Sequence, residues 1–267
     1  MSVPAKSTFA WEPLTPRGVA AFARAKLGRL LLVQFMVALL VAASVVWFFD
    51  DGCFPTISTA IQKLPADGEI RSGKLDWHGD SSKLLAEGKF LAFDVDLAHS
   101  GQIHSTADVQ IEFGGDSIRV FSLLPGYSEF FYIPDRGAPF NRTELEPLWG
   151  AWEADILFIA AAAVTAGLLA SWWALATLYF LPVWLLSFYA NRDLNFRASW
   201  KLSGAALLPS AALMAAGVLF YDLGFLDLVS LGFVFVAHLA LAWIYVFLSQ
   251  LFLPRIPETA AKANPFK

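Results

Sequence analysis

Four uninterrupted apolar blocks dominate the pattern of hydrophobic and polar positions along the chain. The first runs from Leu30 to Phe49, and Gln34 is its one strongly polar residue. As a helix this block is about 30 Å long, which is one hydrocarbon thickness of a bilayer. The pattern therefore predicts four transmembrane helices, at residues 30–49, 156–190, 202–219 and 228–253.

The second block, residues 156–190, is too long for one upright span. It carries no charge, and as a single helix it would extend about 50 Å. Pro182 predicts a kink, because the proline ring removes one backbone hydrogen bond and clashes with the preceding turn. The span would then end near Leu178, and residues 181–190 would run along the interface. A single, strongly tilted helix is the alternative.

Residues 50–155, between the first and second blocks, change to a period of two. Apolar and charged residues alternate in Phe93–Leu97 and Val109–Phe113, which is the signature of β-strands. The pattern predicts five or six short antiparallel strands with one apolar and one charged face. Gly114-Gly115 between two strands predicts a hairpin, and residues 57–64 predict a short leading helix.

The predicted fold class is therefore an α-helical integral membrane protein with four transmembrane helices. A small β-rich, antiparallel extracytoplasmic domain is inserted between helices 1 and 2. Within that domain, residues 121–140 are rich in aromatic residues, glycine and proline. This stretch either rests on the membrane surface or another protein, or packs against its own sheet, and the sequence leaves both interpretations open.

Composition excludes several classes of protein. Apolar residues make up 57% of the chain and charged residues 16%, and the mean hydropathy is +0.55. Soluble proteins average about 45–50% apolar and about 25% charged residues. Because the apolar residues form blocks, the chain is neither a soluble globular enzyme nor an outer-membrane β-barrel, whose strands alternate. The lone Cys53 cannot form an internal disulfide, which excludes a disulfide-rich secreted module.

The distribution of basic residues predicts the orientation. Three segments, residues 1–29, 191–201 and 254–267, hold eleven of the 19 basic residues and three of the 23 acidic ones. Residues 50–155 and the short turn 220–227 hold the others. The positive-inside rule therefore places both termini in the cytoplasm and residues 50–155 outside.

The basic N-terminal segment has its own helix signal. Thr15-Pro16 predicts a helix start, because threonine caps helices and proline is favoured at the first helical position. Residues 17–29 then mix apolar side chains with four cations. They form either an amphipathic helix on the anionic inner leaflet or an ordinary basic flank of the first span.

His238 is an ionisable residue near the middle of the fourth apolar block. An unpaired polar group in hydrocarbon is costly, which makes His238 a candidate functional residue. Its predicted partners at similar depth are Gln34, Thr165 and Ser210. The imidazole either lies on a transport path or hydrogen-bonds across the bundle and holds the helices together.

Four carboxylates are expected at the outer interface. Asp222 and Asp227 flank the predicted outer turn, and Glu153 and Asp155 begin the second block. Carboxylates at one depth form an acidic rim that gathers cations. Ordinary acidic loop ends are the alternative, and they explain the same residues.

No chemical motif accompanies these candidates. The predicted outer domain holds histidines and aspartates without the close spacing of metal ligands, namely His78, His99, His104, Asp94, Asp96 and Asp108. The sequence contains no Walker loop, dinucleotide fingerprint, nucleophile motif or nucleic-acid patch. We therefore expect no catalytic, cofactor-binding or metal-binding residues and no nucleic-acid partner.

Two short stretches and the overall layout resemble a known family. One stretch enters the β-rich insert and the other opens the third span, and they read Lys63-Leu64-Pro65-Ala66-Asp67-Gly68-Glu69-Ile70 and Ala205-Ala206-Leu207-Leu208-Pro209. The chain resembles the uncharacterised bacterial four-span membrane proteins found near maltodextrin-utilisation genes. It is more distantly similar to Yip1-like membrane proteins. The resemblance implies four spans with a β-rich insert, in a bacterial inner (cytoplasmic) membrane. It carries no activity and no site residues.

These features predict a non-enzymatic scaffold or regulatory accessory subunit whose outer β domain binds another envelope component. The alternative is a small transporter, channel or lipid-handling subunit with His238 on the path. The expected partners are the lipid bilayer and either another membrane or envelope protein or a second copy of the chain. No cofactor is expected.

Overall fold

The computed structural model describes residues 12–122 and 125–256. The chain forms two compact units. The helical unit contains the described residues up to Val45, residues 161–221 and those from Val229 onward, and the β unit contains residues 46–160 and 222–228. The predicted tail beyond residue 256 lies outside the described residues, as do the first eleven residues and residues 123–124.

The described residues form six α-helices. These are α1 (Pro16–Phe22), α2 (Leu27–Trp47), α3 (Phe54–Gln62), α4 (Arg142–Tyr189), α5 (Phe196–Asp222) and α6 (Leu228–Gln250). A π-helical turn, Phe48–Cys53, joins α2 to α3. Four helical stretches of the described chain are long and apolar enough to cross a membrane: α2 with its continuation to Gln62, α4, α5 and α6. This confirms the predicted set of long apolar helices.

The second long helix extends further than predicted. α4 has 48 residues, begins at Arg142 and continues through Pro182 without ending. Asn141 caps its start, because the Asn141 Oδ1 accepts a hydrogen bond from the Glu144 N–H at 2.9 Å. Hydropathy places residues 142–155 in the insert because they carry charges, yet their glutamates, leucines and alanines are good helix formers. The interfacial segment predicted after the proline belongs to the same helix.

α5 lies at the centre of the helical unit. Most of α5 is buried, whereas α4 and α6 expose nearly all of their most apolar segments. The buried face of α5 carries small residues, among them Ser199, Ser203, Gly204, Ala205 and Ala211. Small side chains let helix backbones approach closely, and Leu30 of α2, Trp172 of α4 and Val246 of α6 complete the core.

Gln34 connects three helices inside this core. Its side chain is fully buried. The Gln34 Nε2 donates to the backbone carbonyl of Gly204 at 3.4 Å, and the Gln34 Oε1 accepts from the Trp173 indole N–H at 3.3 Å. The close approach of Gln34 to α5 favours glycine at position 204, because an added Cβ there would lie 3.1 Å from the side-chain amide nitrogen of Gln34. The polar group of α2 is thus satisfied by α4 and α5.

The N-terminal segment packs in the helical unit. Thr15 caps α1 as predicted, since its Oγ1 accepts a hydrogen bond from the Gly18 N–H at 3.0 Å, and Pro16 occupies the first helical position. Phe22 is fully buried in the core of this unit. α1 ends after seven residues, so residues 17–29 do not form one continuous amphipathic helix.

The β unit contains eight short strands within the described residues. They are β1 (Glu69–Arg71), β2 (Lys74–Asp76), β3 (Ser82–Glu87), β4 (Leu91–Asp96), β5 (Val109–Phe113), β6 (Ser117–Phe121), β7 (Tyr127–Phe131) and β8 (Ala138–Pro139). The larger sheet has the order β3-β4-β5-β6-β7 and the smaller one the order β2-β1-β8. The predicted hairpin at Gly114-Gly115 joins β5 and β6. Leu75, Trp77 and Leu85 are among the core residues.

The prediction of a wholly antiparallel sheet is wrong, and part of the charged face is buried. β4 and β5 are parallel, and a parallel pair requires a crossover of about a dozen residues or more, which residues 97–108 supply. This crossover bonds to the polar residues of the sheet, for example through Ser100, whose hydroxyl donates to Asp96 Oδ2 at 2.7 Å. Asp94, Asp96 and Glu112 are therefore buried.

We expect Gln34→Leu to destabilise the helical unit modestly. The substitution keeps most of the side-chain volume but removes two interhelical hydrogen bonds. Such bonds contribute about 0.6 kcal/mol on average and about 1.7 kcal/mol at most in a membrane protein, so the expected loss is about 1 kcal/mol. Unfolding of the purified full chain in mixed detergent–SDS micelles measures this loss.

Ser44→Ala is the matched control for this measurement. The Ser44 hydroxyl is buried but donates to the Leu40 carbonyl of its own helix at 3.0 Å. Its removal should cost less than the loss of the Gln34 amide. Equal stabilities of the two variants would contradict the role of Gln34 as an interhelical tie.

Candidate functional site

A hydrogen-bonded histidine joins the crossover to the larger sheet of the β unit. His99 adopts a left-handed backbone conformation, with φ of 50°. Its Nδ1 lies 2.5 Å from the Glu112 Oε1, and its Nε2 lies 3.0 Å from the Ser117 Oγ. The ring lies against Gly114, where an added Cβ would stand 2.0 Å from the His99 Nε2. The glycine of the hairpin therefore makes room for the imidazole.

The network continues from β6 to β7. The Ser117 hydroxyl donates to the Glu129 Oε1 at 3.1 Å, and the Arg119 Nε donates to the same oxygen at 2.8 Å. The hydrogen bond from Arg119 holds the pKa of the Glu129 carboxyl below its ordinary value. The Arg119 guanidinium also lies over the Tyr127 ring, 4.5 Å from its centroid, where a cation is attracted to the aromatic face.

Serine, histidine and a carboxylate at these distances resemble a nucleophilic triad. The resemblance is limited to the hydrogen bonds, because Ser117 has no exposed surface and its hydroxyl also donates to Glu129. A substrate has no access to such an oxygen. The network instead joins the crossover to β5, β6 and β7.

A second polar cluster lies under the crossover. The Gln110 Nε2 donates to the Asp94 Oδ1 at 2.8 Å and to the Ile103 carbonyl at 3.2 Å. The other Asp94 oxygen has no hydrogen-bond partner among the described residues. Burial raises the pKa of Asp94 to about 6. The hydrogen bond from Gln110 lowers this pKa in part, whereas the negative charges of Glu112 and Asp96 raise it further.

The histidines of the predicted outer domain do not converge. His99 bonds to Glu112, whereas His78 is near Asp67 and Asp76, with separations of 3.9 and 3.7 Å. His104 is exposed. Across residues 12–122 and 125–256, no three histidine, cysteine or acidic residues are arranged to hold a metal ion. Sequence spacing missed Glu112 and Ser117, which β5–β6 pairing brings to His99.

The aromatic stretch of the insert forms an exposed edge strand. Tyr127, Phe130 and Phe131 of β7 are 51%, 59% and 69% exposed, and Ile133 beyond the strand is 60% exposed. β7 pairs with β6 on one side and, in the described part of the chain, with no strand on the other. The structure supports both interpretations of this stretch. Tyr132 and Phe140 are buried in the core and Tyr127 contacts the Phe121 ring, whereas Phe130 and Phe131 are exposed.

The two edges of the larger sheet differ. β3, at one edge, packs against α3, whereas β7 at the other edge is open. The charge on β7 belongs to Glu129, which is paired with Arg119. Edge strands are ordinarily protected by charges, prolines or bulges. β7 contains no proline, its pairing with β6 has no bulge, and its charged residue Glu129 is paired.

His238 lies in the helical unit, half-buried on α6. Its Nδ1 contacts the Phe235 carbonyl of its own helix. It lines a cavity of about 500 Å³ with Ser171, Ser210 and Tyr179, in a wall that is otherwise mainly apolar. Ser210 thus shares the cavity with His238, but its hydroxyl donates to the Leu207 carbonyl at 2.7 Å.

The other predicted partners of His238 are placed differently. Gln34 bonds to Gly204 and Trp173. The Thr165 hydroxyl is buried without a hydrogen-bond partner among the described residues, and it does not line the cavity. The structure therefore does not bring His238, Gln34 and Thr165 together as one polar site.

Asp222 and Asp227 both belong to the β unit. Asp222 is half-buried. Its Oδ1 lies beside the π-helical turn, where a Cβ added to Gly52 would be 3.0 Å away. Asp51 of the same turn repels the Asp222 carboxylate. Asp227 is exposed. The described acidic residues show no arrangement of three ligands here.

No protein-family model matches the chain, and no curated protein or solved structure is significantly similar to it. The resemblance to the four-span family therefore stays a prediction.

We expect Asp94→Asn to stabilise the β unit above about pH 6. The pKa of Asp94 rises from 3.8 to about 6 in the folded protein, so between these values the folded state holds a proton that the unfolded state has released. Stability of the natural protein therefore falls as the pH rises through this window, by up to about 3 kcal/mol. The asparagine variant lacks this loss.

Thermal unfolding of the full chain in detergent, followed at about pH 4 and about pH 8, tests this expectation. The two proteins should differ at the higher pH and converge at the lower one. Asp135→Asn, at an exposed carboxylate, is the control and should change neither value. A variant that is less stable than the natural protein at about pH 8 would refute the assignment.

Proposed function

We propose that the protein is a multi-pass protein of a bacterial inner membrane, with cytoplasmic termini and an extracytoplasmic β unit. Four helices with the length and composition of spans support insertion. Large apolar side chains of α4 and α6 point outward, including Phe158 at 75% and Phe233 at 72% exposure. Lipid would cover this surface. The basic residues of segments 1–29, 191–201 and 254–267 support the orientation.

Its function is that of a non-enzymatic accessory protein whose β unit binds another envelope protein. The observation that carries this proposal is the open, aromatic edge of β7. An extended segment of a partner adds to such an edge as a further strand, and its main chain hydrogen-bonds to the unpaired backbone groups. The occupant is therefore an extended, apolar segment of a protein in the same compartment.

The pattern of β7 supplies a basis for selectivity. Successive side chains of a strand point to opposite faces, so Tyr127 and Phe131 lie on one face and Phe130 on the other. A bound strand that alternates in the same way would place apolar side chains beside these rings. Cross-strand aromatic and β-branched pairs each contribute about 0.2–1 kcal/mol. Because Glu129 is neutralised by Arg119, no free charge on β7 opposes that segment.

The buried network prepares this edge for binding. Ser117 and Arg119 of β6 both hold Glu129 of β7, and His99 holds Ser117. These bonds fix β7 on the sheet before a partner arrives. A preordered edge loses less conformational entropy on association than a mobile one.

The cavity beside His238 supports a second candidate function. Its volume of about 500 Å³ is within the range of small-molecule sites, about 300–1,000 Å³. Under this alternative the protein is a transporter, channel or lipid-handling subunit, and His238 lies on the path. His238 is the histidine among the described residues that line this cavity.

We expect a photoreactive benzoylphenylalanine at Phe131 to crosslink to a protein partner in the native membrane. A Phe130→Lys substitution in the same chain should reduce the adduct about tenfold or more, since it removes an apolar side chain worth about 1.5–3 kcal/mol on full burial. The adduct is measured by immunoblot of the tagged chain and identified by mass spectrometry.

The same photoreactive residue at Leu84 is the control. Leu84 lies on β3, the edge that packs against α3, and should give no such adduct. An adduct between two copies of the chain, or adducts to lipid alone, would contradict binding of a partner protein at β7. Equal adducts from both edges would show that the contact is not specific.

We expect His238→Leu to leave crosslinking at β7 unchanged. The described contacts of His238 lie within the helical unit and include its own helix, so an accessory protein tolerates this apolar replacement. In proteoliposomes the variant should also show the same proton flux as the natural protein, read by an enclosed pH-sensitive dye. His104→Leu in the β unit is the control. A flux that is lost in His238→Leu alone would favour the transport function.

A further inference from the structure

The helical unit has a second, strongly polar cavity near the start of α5. Its volume is about 380 Å³, within the range of small-ligand sites. Its walls come from the α1–α2 connection, the residues before α5, the first turns of α5 and the end of α6. The charged side chains that line it are Arg24, Asp193, Arg197 and Lys201.

Cations dominate this cavity. Arg197 and Lys201 are one helical turn apart, which places them on the same side of α5. Neither side chain forms a salt bridge within the described residues, where Lys201 donates one hydrogen bond to the Ala25 carbonyl at 2.7 Å. Arg24 and Asp193 form a long pair of 3.4 Å between largely exposed side chains. The lining therefore has a net charge of two positive units.

The cavity is built to hold these cations together. Lys201 is hydrogen-bonded to the backbone at Ala25, one of the four residues between α1 and α2. Leu194 and Leu253 form apolar walls and are buried. The Asp193 N–H donates to the Pro254 carbonyl at 2.9 Å, which fixes the loop before α5 against the end of α6. Like charges repel, so bringing three cations into one cavity indicates an anionic ligand.

We propose that this cavity binds a phosphate group, as a lipid headgroup or as part of a soluble phosphate compound. Arginine matches phosphate oxygens with two parallel N–H donors, and lysine adds a point charge. The Asn195 Oδ1 already accepts a hydrogen bond from the Ala198 N–H at 2.9 Å, so the start of α5 contributes in the same direction through its helix dipole. The cavity belongs to the segments proposed to be cytoplasmic, where anionic lipid headgroups are concentrated.

Asp193 sets the affinity of the site. Its carboxylate lines the cavity and repels a phosphate, while it also pairs with Arg24. Removal of this negative charge leaves all three cations for the ligand. Asp193→Asn should therefore bind phosphate more tightly, in the direction opposite to the loss of a cation.

The experiment uses the purified full chain in phosphatidylcholine nanodiscs with phosphatidic acid as the lipid probe. Native mass spectrometry measures the retained phosphatidic acid. Arg197→Gln is expected to weaken retention about tenfold, which corresponds to the loss of one charge-assisted hydrogen bond. Asp193→Asn should strengthen retention a few-fold. Arg197 is exposed, so its substitution leaves the fold intact.

Arg255→Gln and Lys26→Gln are the matched controls. Both residues are exposed cations of the same unit that do not line the cavity. Retention should be unchanged in both. Equal losses in the controls and in Arg197→Gln would overturn the proposal, because they would show a general charge effect of the surface. Unchanged retention in Arg197→Gln would overturn it as well.

Competition distinguishes the two sources of phosphate. Glycerol 3-phosphate and inorganic phosphate are added to nanodiscs that hold phosphatidic acid. If neither displaces the lipid, the site binds a lipid headgroup. If glycerol 3-phosphate binds in pure phosphatidylcholine nanodiscs, and Arg197→Gln abolishes that binding, the site binds a soluble phosphate compound. Both results support a phosphate site, and neither depends on the β7 edge.

Discussion

The hydrogen bond between Glu112 and His99 is the interaction on which the β unit depends. Glu112 is almost fully buried, and a buried carboxylate is costly unless a donor satisfies it. His99 reaches it because the crossover from β4 to β5 passes over the sheet and because Gly114 leaves space for the ring. The parallel pairing of β4 and β5, the burial of the polar face and the fixing of β7 follow from this arrangement.

Buried polar side chains of the helical unit also need hydrogen-bond partners. Several of its polar side chains are buried, among them Gln34, which bonds to a backbone carbonyl and an indole. Ser199 and Ser203 bond to carbonyls of their own helix. Large apolar side chains are on the outside, most clearly on α4 and α6. This is the reverse of a soluble helical bundle, and it is expected where lipid replaces water as the solvent.

Local patterns predict the parts of the fold that local interactions determine. The four long apolar helices follow from uninterrupted hydropathy, the β5–β6 hairpin from Gly114-Gly115, and the start of α1 from Thr15-Pro16. The parallel strand pair depends instead on where the crossover lies. Period-two alternation is the same for a solvated and a covered polar face, so it does not reveal that Asp94 and Glu112 are buried.

The sequence likewise predicts some properties of the candidate sites and not others. Depth in a span singles out His238 and Gln34, but sequence does not tell which helix their side chains face. The contacts show Gln34 tied to α5 and His238 facing an apolar cavity. The open edge of β7 depends on strand order, which composition does not contain, although the aromatic richness of residues 121–140 marks the place. The cavity near the start of α5 is lined by both Arg24 and Lys201, which are far apart in the chain, so local patterns do not predict it.

The central position of α5 has a consequence for how the chain enters a bilayer. α5 is the least hydrophobic of the four long helices, yet it is the most buried. Its small and hydroxyl-bearing residues partition into lipid less readily than the leucines and phenylalanines of its neighbours. Because α2 and α4 precede it in the chain, they are available to cover its polar face as it is inserted. In the proposed membrane topology, α5 is therefore inserted as a late element that uses earlier helices, rather than lipid, as its surroundings.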